Sequence, residues 1–90
     1  MGQIRDRVIT LKAFEMRAYM FINAMRGQSM GLTKALRDVA GVRSADAITG
    51  DYDIVAEVEA RDLTELRATM AGVQAIDGIL KTTTCMVLSD

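Results

Sequence analysis

One pattern occurs twice along this chain, and it narrows the choice of fold more than any other feature of the sequence. "AYMFINAM" at 18–25 is rich in β-favouring residues and stops at Arg26-Gly27, which reads as a strand and a turn. "SMGLTKALRDVAG" then reads as a helix. Leu32, Ala35, Leu36 and Val39 recur along one side, Ser29 is placed to cap the start, and Gly41 to stop the end. "VRSADAIT" at 42–49 reads as a weak strand. The second half begins with "YDIVAEVEA" at 52–60, where Ile54, Ala56 and Val58 point one way and Asp53, Val55, Glu57 and Glu59 the other. Gly50 and Asp51 between these two strands read as a two-residue hairpin loop. Asp62-Leu-Thr-Glu65 has the form of a capping box and opens a second helix with the stripe Leu63, Leu66, Met70 and Val73. A turn around "IDG" leads to "ILKTTTCMVL" at 79–88, the last strand. Each half thus runs strand, helix, glycine-containing loop, strand.

The order β-α-β-β-α-β has few three-dimensional solutions. Right-handed crossovers put both helices on one face of a four-stranded antiparallel sheet, an α+β, ferredoxin-like architecture with strand order 4-1-3-2. In that order one rim of the sheet collects the "TGDYD" hairpin, the Met25-Arg26 end of the first strand and the "KTTT" start of the last. Residues 18–90 supply this domain and residues 1–17 an N-terminal extension. There Ile4, Val8 and Leu11 suit a helix, while "RVITLKAF" suits a strand, and both readings stand.

The face without helices ought to be polar. In the first strand, however, Tyr19, Phe21 and Met25 share one side and Met20, Ile22 and Ala24 the other; in the last, Cys85 and Val87 alternate with Met86 and Leu88. Both are read as central-type strands, apolar on two sides. An uncovered apolar area of ~300 Å² is already large for a monomer. Burying it is worth roughly 7 kcal/mol per subunit before the costs of association. The expectation is a homodimer with sheets packed face to face, a dimeric α/β barrel. The rival is a cover supplied by the N-terminal segment. Asp53, Glu57 and Glu59 fall on that side, at the interface rim or in water.

Composition excludes several functions. The chain has 90 residues, no histidine, one cysteine and a formal net charge of −1. Missing histidine removes the commonest general base and metal ligand. A lone Cys85 forms no internal disulfide framework and reads as a small core residue. The near-neutral balance argues against direct nucleic-acid binding. No segment approaches the ~20 apolar residues of a membrane span, and the mixed charges of "MGQIRDRV" do not form a secretory leader. The expectation is a cytoplasmic protein without cofactor. Asp51, Asp53, Glu57 and Glu59 are scattered by strand spacing rather than gathered in a loop, so no metal is expected.

The hairpin has two readings. Gly, Asp, Tyr and Thr all suit turns and strands for steric reasons alone. The same groups also suit an amino acid. Asp53 supplies an acceptor for an ammonium group, and Gly50 amides with the hydroxyls of Thr82 and Thr84 supply donors for a carboxylate. Tyr52 offers a ring and a hydroxyl at a pocket edge.

From about Ala18 to Leu88 the chain resembles the effector-binding (RAM) domain of the Lrp/AsnC family of regulators. The resemblance is carried by "AYMFINA", by "LRDVAGVRSADAITGDYDIVAEVEARDLTEL" and by "IDGILKTTTCMVL". Its most specific parts are the Gly41-Val42 junction, the Gly-x-Tyr-Asp hairpin and the alternate Thr82 and Thr84. It implies a dimer with sheets face to face, assembled further into a tetramer or octamer, and a small effector such as an amino acid bound between subunits. Carried over by position, the effector-binding residues are Gly50, Tyr52, Asp53, Thr82 and Thr84. Full-length regulators of the family carry a winged helix-turn-helix domain ahead of this one, and 17 residues are too few for it. The expectation is a stand-alone, non-catalytic module that makes no direct DNA contact and acts, if at all, on a full-length regulator. Two alternatives remain open. One is a small dimeric α+β barrel enzyme of the cofactor-free oxygenase or isomerase type, and the other is a purely structural oligomerisation unit.

Overall fold

The computed structural model describes residues 16–88. The order is β1 (Met16–Ala24), α1 (Ser29–Arg37), β2 (Val42–Ala47), β3 (Ile54–Ala60), α2 (Leu63–Gln74) and β4 (Ile79–Met86). All strand pairs are antiparallel and the sheet order is β2-β3-β1-β4. The expected ferredoxin-like topology is therefore present. β1 begins at Met16, so Met16 and Arg17 belong to the sheet; the helix or strand expected before them lies outside the described residues.

Alternation decides which side of each strand is buried. Ala18, Met20, Ile22 and Ala24 of β1 and Ile54, Ala56, Val58 and Ala60 of β3 all face the helices and form the core. Leu32 and Leu36 of α1 and Leu66 and Val73 of α2 close it from above. The α2 stripe differs from expectation. Leu63 is 49% exposed, while Thr69 is buried between Leu66 and Val73 and donates its hydroxyl hydrogen to the Ala40 carbonyl at 2.8 Å. A polar residue joins the stripe because it has a backbone acceptor to meet.

The helix starts follow different rules. Asp62 caps α2 by accepting from the Glu65 amide at 2.9 Å, while the Glu65 carboxylate accepts at 2.9 Å from the amide of Arg61, one residue ahead of the cap amide that a full capping box would engage. Ser29 does not cap α1; it is the first helical residue, and Gln28 stands at the cap without a side-chain bond. Gly41 does end the turn after α1, at φ +95°. A side chain there would also overlap the Thr69 hydroxyl.

Among the described residues no strand lies beyond β4, which makes it an edge strand there and not a central one. The other edge, β2, is shorter. Ile48 donates its amide hydrogen to the Asp53 carbonyl, so alternation turns the backbone groups of Ala45 and Ala47 outward. The Arg37 guanidinium occupies the Ala45 carbonyl at 2.8 Å.

Candidate functional site

Strand geometry brings three chain segments to one rim. β1 ends there, β3 begins there and β4 begins there, as the pairings Ile22↔Ile54 and Ala24↔Ile79 require. The connection between β2 and β3 is longer than a two-residue hairpin. The last bond of the ladder joins Ile48 to Asp53, and Thr49, Gly50, Asp51 and Tyr52 form the loop beyond it. The strands part early because the loop is bonded to β1 rather than closing on itself.

Asp53 makes that attachment. Its amide donates to the Ile22 carbonyl at 2.9 Å, completing the β1–β3 ladder. The next amide of β1 on that side, Ala24, would meet the backbone of position 52 in a continued ladder. Instead it donates to Asp53 Oδ2 at 2.8 Å. The carboxylate stands in for a carbonyl that has turned away, and this releases the loop to project over the rim. Asn23 Nδ2 holds the Asp51 carbonyl at 3.0 Å from the other side. Gly50 adopts φ +113° with open space where a Cβ would be. The Tyr52 ring lies against Phe21, with centroids 5.2 Å apart and a tilt of 43°.

The expected site residues divide between two faces. Gly50, Tyr52 and Asp53 gather at the rim, with Tyr52 on the Phe21 side of the sheet. Thr82 and Thr84 pair with Ile22 and Met20, whose side chains are buried under the helices, so their hydroxyls belong to the helix side. Thr82 Oγ1 accepts from Gln74 Nε2 of α2 at 3.0 Å. The β4 residues on the Phe21 side are Lys81, Thr83 and Cys85, opposite Asn23, Phe21 and Tyr19. Cys85 is thus exposed on the helix-free face and is not a core residue. In an edge strand apolar on both sides, period-two alternation gives two sets without saying which one meets the helices.

The helix-free face is apolar towards the rim and charged towards the opposite end of the sheet. Tyr19, Phe21, Tyr52 and Val55 carry the apolar part, and none is fully buried. The acidic residues of β3 are paired on the same face. Glu57 meets Arg17 at 3.4 Å and Glu59 meets Arg43 at 3.0 Å.

A half-open cleft of about 520 Å³ lies at the other end of the sheet, between the turn after α1 and one side of α2. Gly41, Arg61, Glu65, Thr69 and Gly72 are among its walls. Its polar groups are already engaged, Thr69 with Ala40 and Glu65 with Arg61 at 3.4 Å. It offers volume without convergent free polar groups.

The family model for the Lrp/AsnC ligand binding domain matches residues 17–90. The chain belongs to this family. The match takes in the rim, both helices and every strand. Among solved structures, Escherichia coli AsnC superposes on this Lrp/AsnC domain with a TM-score of 0.78 and 24% identity, over 90% of this chain and 56% of that one. A transcriptional regulator from Neisseria meningitidis, solved in complex with L-Met, gives a TM-score of 0.75 and 16% identity over 99% and 66%. Both likenesses are of fold. In sequence, the domain is 39% identical over 57 residues, 63% of this chain, to a homocitrate synthase of Sulfolobus acidocaldarius. That stretch is 12% of the enzyme's length, so the chain spans about one-eighth of the curated relatives it matches.

Proposed function

We propose that this chain is a non-catalytic effector-binding and self-assembling module, and that its effector is an amino acid held at the rim between subunits. The observation that carries the reading is the construction of the rim. A loop with an open glycine, a phenol ring and two carboxylates is fastened to the end of β1 by Asp53 and Asn23, and it overlooks the helix-free face. Gly50, Tyr52 and Asp53 are its contacts from the loop. Thr82 and Thr84, on the helix side of β4, take part only for a ligand that enters around that edge. The complex of the Neisseria meningitidis regulator with L-Met supports an amino acid as the ligand class.

The apolar strip Tyr19-Phe21-Val55 supports a homodimer built sheet to sheet, with Arg17–Glu57 and Arg43–Glu59 neutralised in advance at its margin. A tetramer or octamer assembled from such dimers would close the rim from outside. The module works in the cytoplasm without cofactor. The test is molar mass by light scattering together with thermal melting, each with and without every one of the protein amino acids. A ligand at 100 times its Kd stabilises by about 2.7 kcal/mol. The expected result is a dimer or larger assembly and a rise in Tm with at least one amino acid. A panel that leaves both mass and Tm unmoved defeats the reading.

The partner has two candidates. A full-length Lrp/AsnC regulator would join by mixed assembly through the shared sheet face. The homocitrate synthase match favours a second reading, in which the same kind of module serves a metabolic enzyme. Mixing the chain with each class of partner and measuring mass separates them.

A further inference from the structure

A cation strengthens the hold on an effector's carboxylate beyond what neutral donors give, and the charged side chains of the loop are all anionic. Asp51 and Asp53 flank Tyr52, and no Lys or Arg lies between Ile48 and Ala60. Two cations stand near the rim, Arg26 in the turn after β1 and Lys81 in β4, and of these Lys81 is the one carried by a strand on the Phe21 side of the sheet. The pairing of β1 with β4 sets its position. Asn23, which holds the loop through the Asp51 carbonyl, lies directly opposite Lys81.

Lys81 occupies a distinctive place in its strand. The register shifts between Asn23 and Ala24, since Asn23 pairs with Lys81 and Ala24 with Ile79, leaving Leu80 as an extra residue. This is a β-bulge, a device that re-aims the side chains beside it. Leu80 is 67% exposed and Ile79 returns to the core, so the bulge spends one residue to keep Ile79 inward while Lys81 stays on the Asn23 side. Among the described residues, Lys81 forms no ion pair, a state it shares with Arg26, Lys34 and Arg67, but of these four it alone lies in the sheet.

Building on the amino-acid reading, we propose that Lys81 receives the carboxylate of the effector while the loop carboxylates receive its ammonium group. β3 and β4 flank β1, so the backbones carrying the two charges stand about 10 Å apart, twice the strand spacing. An α-amino acid placed over Asn23, with the flexible lysine stem reaching towards it, spans that gap. Thr83, opposite Phe21 on the same side, offers a hydroxyl to the same carboxylate, a role the hydroxyls of Thr82 and Thr84 are turned away from. The effector's side chain is then left to the Phe21–Tyr52 pair and to whatever closes the rim from the next subunit.

The experiment is isothermal titration of the intact chain, Lys81→Gln and Lys81→Arg with each protein L-amino acid, followed by the carboxamide of the tightest binder. The expected result is a loss of about tenfold or more in Kd for the amino acid in Lys81→Gln. Lys81→Arg should restore part of it, and the carboxamide should bind the native chain and Lys81→Gln alike. Equal amino-acid affinity in the native chain and Lys81→Gln overturns the role of Lys81 and leaves the amino-acid reading standing. Parallel losses for acid and carboxamide also overturn it, because they report packing rather than charge. No binding of any amino acid to the native chain removes the reading and this inference together.

Discussion

Gly41 and Gly50 both hold positive φ, at +95° and +113°, yet a methyl group would do different harm at each. At Gly50 it would enter open space, and the cost is backbone strain alone, about 1 kcal/mol or somewhat more. At Gly41 it would meet the same strain and also the Thr69 hydroxyl, which the Ala40 carbonyl holds in place. Gly41→Ala should therefore cost about 2 kcal/mol or more beyond Gly50→Ala. Urea midpoints of the two variants check the order. Ligand response should show the reverse order, because Gly50 is on the rim and Gly41 at the far end of the sheet.

At the scale of elements, the β2–β3 loop owes its shape to a side chain rather than to its own turn type. Asp53→Ala leaves the Ala24 amide without its acceptor and should cost about 1–3 kcal/mol. Asp53→Asn keeps a carbonyl oxygen for that amide while discarding the charge. Hydrogen exchange at Ala24 should accelerate in the alanine variant and stay near native in the asparagine variant, whereas amino-acid binding should fall in both. The strand and helix order was legible because Ile54-Ala56-Val58 and Leu32-Leu36 announce their periods plainly. The loop length was not, since the Asp53–Ala24 bond joins residues distant in sequence. The two faces of β4 were not legible either, because Thr82, Thr84 and Met86 alternate with Lys81, Thr83 and Cys85 without a contrast in polarity strong enough to orient them. Thr69 had a usable signal, as positions 66, 69 and 73 keep helical spacing once a threonine is admitted to the stripe. The bulge at Leu80 left none.

For the whole molecule, the decisive surface is the side of the sheet away from the helices. Phe21→Asp places a charge in the middle of the apolar strip without touching Met20 or Ile22 on the opposite side. Folded single chains are the expected product, with unchanged far-ultraviolet circular dichroism and the molar mass of one chain by light scattering. An unaltered assembly in that variant would mean the subunits meet elsewhere. The two edges of the sheet also differ. On β2 the guanidinium of Arg37 sits in the slot that an incoming strand would need, while among the described residues nothing pairs with the outer side of β4. A ribbon that lengthens without limit must join one edge to the other, molecule after molecule, and here one of those edges is plugged. Among the described residues, then, a sheet that grows does so by β4 meeting β4, a twofold handshake after which both outer ends of that sheet are β2 edges holding Arg37.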